Sequence, residues 1–247
     1  MLKKIKWQVV LGLILVLVSA ALYLIHYLIF RDARHIFIYF IGDLAFIPFE
    51  ILLVTLIIHK MLNMREKKAL LEKLNMIIGA FFSEIGAALL AELSKLDPGI
   101  EEIRTGLKVK ENWTNTEFNE VLKNLTTYSC SLKACRTDFI SLKKLLTNKR
   151  DFMVRLLENQ NILEHEMFTD LLWSVFHLTE ELADRENFEK ITEKDKSHLE
   201  GDINRAYGLL IRQWIEYMKH LKTSYPYLFS LAMRQNPFDL QTSPYVI

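Results

Sequence analysis

IFIYFIGDLAFIPFEILLVTLIIH, Ile36–His59, is the stretch on which the fold turns: an apolar run with two carboxylates, Asp43 and Glu50, set inside it. It is long enough to cross a bilayer as a helix. The acids are seven positions apart, close to two helical turns, so both leave the helix on the same side. A carboxylate among lipid tails costs several kcal/mol, so both are expected to face protein or a water-filled path. Pro48, between them, frees a carbonyl near residue 44 and introduces a bend.

Upstream lies a second apolar segment, Trp7–Phe30 (WQVVLGLILVLVSAALYLIHYLIF). The two are joined by a short turn containing Arg31, Asp32, Arg34 and His35. Basic residues cluster at the far ends: Lys3, Lys4 and Lys6 on one side, Lys60, Arg65, Lys67 and Lys68 on the other. The positive-inside rule then predicts a transmembrane hairpin in an inner or plasma membrane with both termini cytoplasmic, although the two arginines of the turn oppose that bias. A cleaved signal peptide is the competing reading, with Val18-Ser19-Ala20 as its cleavage site. The apolar run continues to Phe30, beyond the usual length of such a segment, and the anchor reading is preferred. His26 and Tyr23 of the first segment are the candidate hydrogen-bond partners for the intramembrane acids.

Beyond residue 60 the apolar spacing is helical throughout, and Gly and Pro are scarce. Leu71, Leu74, Ile78, Phe81, Ile85 and Leu89 form a three-four stripe on a long helix that continues out of the second segment. Beside it runs a ridge of small residues, Gly79, Ser83, Gly86 and Ala87, which permits close helix approach. Met76–Leu93 is also apolar enough to suggest a third crossing, but Glu84, Glu92 and the charged flanks favour a soluble or interfacial helix. Asp97-Pro98-Gly99 ends that helix, and residues 100–113 read as a connector or short helix. Thr114 with Glu117 opens the next helix as a capping box, its inner face formed by Phe118, Val121, Leu125, Tyr128, Leu132, Cys135 and Phe139. Helices are expected over 142–157 and 162–183. After a cap at Thr192 and Asp195, Leu199, Ile203, Tyr207, Leu210, Trp214, Tyr217 and Leu221 line one more long helix, which Pro226 ends. The predicted fold is all-α: a transmembrane hairpin (1–60), a connecting amphipathic helix (61–96), a cytoplasmic helical bundle (97–235) and an irregular tail (236–247).

The formal charge of +1 and the absence of a dense basic run argue against nucleic acid as a partner. No nucleotide-binding loop, catalytic triad or metal-ligand cluster is evident, so neither an enzyme nor a cofactor is expected. His165-Glu166 starts like a zinc-protease helix, but no second histidine follows at the required spacing. Glu166, Asp170, His177, Glu181 and Asp184 share a helix face that would suit a divalent cation, although a solvated face is the plainer reading. Cys130 and Cys135 are expected to be buried, unpaired thiols. Two glycosylation sequons, at Asn112 and Asn124, would go unused in a cytoplasmic domain. Trp173, Phe176, Trp214, Tyr217, Tyr225, Tyr227 and Phe229 read as bundle core, with a partner groove as the sharper alternative.

The function expected from these features is a homo-oligomeric membrane protein, since a two-helix hairpin cannot enclose a pore alone. It would be an ion channel for a cation or proton, or a gated signal transducer, with Asp43 and Glu50 ringing the axis. The reading from another class is a membrane-anchored scaffold that recruits a cytoplasmic protein partner, its acids serving assembly only.

Overall fold

The computed structural model describes residues 7–239, and every described element is helical. Lys3, Lys4, Lys6 and the tail from residue 240 onward lie outside the described residues. The chain divides into two compact units at Lys67/Lys68.

In the first unit, α1 (Trp7–Phe30) is followed by the start of α2 (Ala33–Phe81) after only two residues. The turn is tight because Arg31 takes the left-handed conformation, φ 49°, which reverses the chain at the end of α1. Asp32 then caps α2 by accepting hydrogen bonds from the backbone of Arg34 (2.9 Å) and His35 (3.3 Å). The second helix therefore starts three residues earlier than the apolar pattern suggests, since a cap and not hydrophobicity sets its first turn. Both helices are long and apolar enough to cross a membrane by length and composition. Their large apolar side chains, from Trp7 to Met64, are exposed almost without exception. An uncovered apolar surface of that extent needs lipid or other protein against it.

The second unit is a bundle organised around α9 (Glu193–Ser224), with α3 (Ala87–Ser94), α5 (Asn115–Thr127), α8 (Glu166–Ala183) and α10 (Pro226–Arg234) packed on it. Two shorter helices, α6 (Arg136–Thr147) and α7 (Arg150–Leu157), lie against α8, and α4 (Ile100–Leu107) precedes α5. The three-four stripe forms core: Leu74, Ile78, Phe81, Ile85 and Leu89 are buried, while Leu71 is exposed. On α9 the expected face is likewise buried from Leu199 to Leu221, with Tyr217 half-buried. Each large side chain so removed from water contributes on the order of 2 kcal/mol. The caps at Thr114/Glu117 and Thr192/Asp195 both form.

Three helix expectations need correction. The stripe from Phe118 to Phe139 does not lie on one helix: α5 ends at Thr127, and residues 128–135 carry no helix. Three of their backbone donors are satisfied from distant residues instead, Leu132 by Asn204 Oδ1 (2.8 Å), Lys133 by the Leu96 carbonyl (3.1 Å) and Ala134 by Glu200 Oε1 (3.0 Å). The stretch 142–157 is interrupted at Asn148-Lys149, and 162–183 at His165, whose Nδ1 accepts from the Phe168 backbone and so starts α8. Past Arg234 the chain is also less free than an irregular tail. Asn236 and Phe238 are buried, Asn236 Nδ2 donates to the Leu107 carbonyl (2.9 Å), and Arg104 donates to the Phe238 carbonyl (3.2 Å).

Candidate functional site

An apolar cleft of about 510 Å³ lies where the end of α2 and the start of α3 meet α9 and α10. Its floor owes its shape to one wide, π-helical turn, Phe82–Gly86, between α2 and α3. The extra residue of such a turn rotates the succeeding helix by roughly 100°, which re-aims side chains and recurs at functional sites. Phe82 is thereby laid flat on Tyr217 (centroids 5.1 Å apart, planes at 14°) and edge-on to Trp214 (5.2 Å, 66°).

The same turn splits the small-residue ridge. Gly79, Ser83 and Ala87 line the cleft, whereas Gly86 is buried beneath Phe81 and Phe82. At Gly79 a Cβ would stand 3.3 Å from the Tyr217 hydroxyl, so the missing side chain lets that ring approach. Two polar atoms in the wall, Trp214 Nε1 and His220 Nε2, are buried without a hydrogen-bond partner. Desolvation lowers the pKa of His220 and raises that of Tyr217, so both present neutral groups. Of the aromatic residues assigned to the core, Trp214 and Phe229 are buried, but Trp173 and Tyr227 are 54% and 71% exposed. Tyr227 sits on the cleft rim, which favours the groove over the core reading there.

The acidic stripe of α8 also resolves differently. Glu166, Asp170 and Asp184 stay at the surface. His177 and Glu181 instead meet two residues of α9, His198 and Asp202, that the reading along one helix missed. Arg185 holds Glu181 through Oε2 (2.8 Å) and Asp195 through Oδ1 (2.6 Å), and it keeps both carboxyls below their ordinary range. The available signal was a repeated spacing, His-Leu-x-x-acid, in HLTEE (177–181) and HLEGD (198–202). Its i, i+4 interval puts both donors of each helix on one face.

In the first unit Asp43 and Glu50 are exposed, and among the described residues neither has a hydrogen-bond or ion-pair partner. Within the chain His26 is engaged elsewhere: it stacks on His35 (6.0 Å, 17°) beside the turn and packs against Phe30. From His35 to Glu50 is fifteen residues of helix, roughly 22 Å, far beyond a side chain's reach. Pro48 lies within α2. The thiols are free, as expected, but only Cys130 is partly buried. Cys135 is exposed at the start of α6, where its backbone donates to Asp138 Oδ2 (2.7 Å).

Residues 70–234 match the family model described as "Uncharacterized protein MJ1433, C-terminal helical domain", and residues 3–62 match "MJ1433, N-terminal helical domain". The chain belongs to the MJ1433 family. "Uncharacterized protein MJ1433" of Methanocaldococcus jannaschii is 45% identical to it over 234 residues, covering 95% of this chain and 94% of that relative. No solved structure matches. The two MJ1433 domains abut between residues 62 and 70, which brackets the division of the structure at Lys67/Lys68. The histidine–carboxylate cluster and almost all of the aromatic cleft fall in the C-terminal MJ1433 domain.

Proposed function

We propose that this chain is a membrane-anchored protein of the cell's inner or plasma membrane that assembles with copies of itself through α2. Both termini lie in the cytoplasm, and the bundle recruits a protein segment into its aromatic cleft. The observation that carries the reading is the pair of carboxylates, Asp43 and Glu50, on a helix whose surroundings within the chain leave both uncovered. In a bilayer such groups are sheltered by neighbouring protein. With one other described helix in the unit, and no partner for either acid among the described residues, that neighbour is a second subunit. The cleft supports the recruitment half: its aromatic floor and two orphaned polar atoms have the make-up of a pocket for an apolar anchor.

A second reading, cation or proton permeation, is favoured by the placement of both acids on one side of α2, two turns apart. The two readings part in one experiment. The full chain is reconstituted in nanodiscs for subunit counting and in liposomes for flux, as wild type, Glu50→Gln and Asp43→Asn. A defined oligomer that Glu50→Gln disrupts, without flux, is the expected result. A monomer sinks both readings, and a flux abolished by either variant replaces the scaffold with the channel.

A further inference from the structure

A cluster of titratable side chains lies between α8 and α9, apart from the aromatic cleft. His177 Nε2, His198 Nε2 and a carboxylate oxygen of Asp202 all lie within 4.8 Å of one another. Asp202 is the informative member. It is only 3% exposed, and its Oδ2 is buried without a hydrogen-bond partner. The two imidazole nitrogens stand 3.5 Å (His177) and 3.4 Å (His198) from that oxygen. An imidazolium–carboxylate hydrogen bond would draw them to about 2.7–2.9 Å. A tetrahedral ion with bonds of about 2.0–2.1 Å holds its donors apart along edges of roughly 3.3–3.4 Å. The observed separations from Oδ2 are longer than such hydrogen bonds and close to those edges.

The surroundings fit the same use. Arg205 approaches the other oxygen, Oδ1, at 3.3 Å, which orients the carboxylate and leaves Oδ2 free. Glu181 borders the cluster, its Oε1 3.8 Å from His177 Nε2 and its Oε2 3.6 Å from His198 Nε2 while held by Arg185, and a fourth position is left to water. Both histidines are about half exposed, at 46% and 52%, so an ion has a way in from solvent. Two imidazoles with one carboxylate suit a borderline divalent ion, whereas calcium and magnesium require oxygen donors almost throughout.

We propose that His177, His198 and Asp202 bind a divalent first-row transition-metal ion, of the zinc class, that ties α8 to α9. The ion bridges two helices joined by the polar segment 184–192, so occupancy stabilises the C-terminal domain against opening along that seam. The proposal does not depend on the membrane or recruitment reading.

The test uses the full chain in detergent, carrying no polyhistidine tag, stripped with chelator, and with Cys130 and Cys135 replaced by Ser to remove thiol ligands. Zinc is titrated by calorimetry, cobalt(II) by its visible absorption, and thermal melting is followed with zinc, calcium and magnesium. One zinc per chain is expected, with a tetrahedral cobalt spectrum and a higher Tm that calcium and magnesium do not reproduce. His198→Ala and Asp202→Asn should each weaken zinc binding at least about tenfold, while Glu166→Gln leaves it unchanged. His198 is half exposed, so its variant folds even if the buried Asp202→Asn does not. Absence of zinc binding, or binding that His198→Ala leaves intact, overturns the assignment.

Discussion

The hydroxyl of Tyr128 donates to Asp97 Oδ2 at 2.7 Å, closing off a carboxylate that is otherwise cut off from water. The other oxygen, Oδ1, accepts from the Gly99 backbone at 3.0 Å. Gly99 is fitted to this arrangement, since a Cβ there would come within 2.9 Å of the Tyr128 hydroxyl. Asp97 thus links the turn after α3 to the extended segment after α5. The bond also explains why helix α5 stops at Thr127: Tyr128 is held by a partner thirty-one residues away.

Removing that hydroxyl takes from the buried Asp97 carboxylate the hydrogen bond on Oδ2. Tyr128→Phe should cost about 1–3 kcal/mol in urea unfolding of the bundle. A loss within error would mean that water replaces the phenol.

The π-helical turn makes two glycines of the same ridge behave differently. A Cβ at Gly86 would stand 2.7 Å from both Phe81 Cε1 and Phe82 Cδ1, side chains fixed in the core. Gly86→Ala is therefore expected to destabilise by about 1–3 kcal/mol. At Gly79 the nearest atom is the Tyr217 hydroxyl at 3.3 Å, and the helix gains from alanine what the contact loses. Gly79→Ala should stay within about 1 kcal/mol of wild type. Equal melting shifts for the two variants would contradict this account of the turn.

His220 ties stability to pH. Burial lowers its pKa below the ordinary 6.5, with Glu72 pulling weakly the other way. Between the folded and unfolded values the unfolded chain binds more protons, so this contribution is whole above 6.5 and declines as pH falls through that window. Melting curves from about pH 7.5 to about pH 5.5 should show a larger loss for wild type than for His220→Gln, which cannot titrate. Parallel curves would refute it.

The two cysteines should differ in reactivity. Burial, reinforced by the Asp97 charge, pushes the Cys130 thiol up to about 11, whereas Cys135 is exposed. Going from the ordinary 9.0 to about 11 lowers the thiolate fraction on the order of a hundredfold. Maleimide labelling near neutral pH should show one fast thiol that disappears in Cys135→Ser. Two fast thiols would show that the segment after α5 opens.

Glu50→Leu separates a sheltered acid from one facing lipid. Against lipid, the exchange removes a cost of about 3 kcal/mol and leaves the subunit count alone. Against a neighbouring subunit, it should reduce oligomer in nanodiscs. Unchanged assembly with easier insertion would place Glu50 at the lipid face.

Much of this chain could be read without coordinates. The helical periodicity, the two apolar segments and the capping pairs Thr114/Glu117 and Thr192/Asp195 are local properties of neighbouring residues, so the sequence carries them whole. The α9 core face survives for the same reason: one helix keeps one period from Leu199 to Leu221. Tertiary structure decided what depends on partners far along the chain. Residues 128–135 keep a helical pattern of apolar side chains, yet Asn204, Leu96 and Glu200 take up the backbone donors of Leu132, Lys133 and Ala134, and the segment is not helical. Likewise His177 and Asp202 are twenty-five residues apart, and only the packing of α8 on α9 brings them within 3.5 Å. A single-helix pattern records which residues share a face, but not which face of another helix is laid against it, because that choice is made by the packing of the whole core.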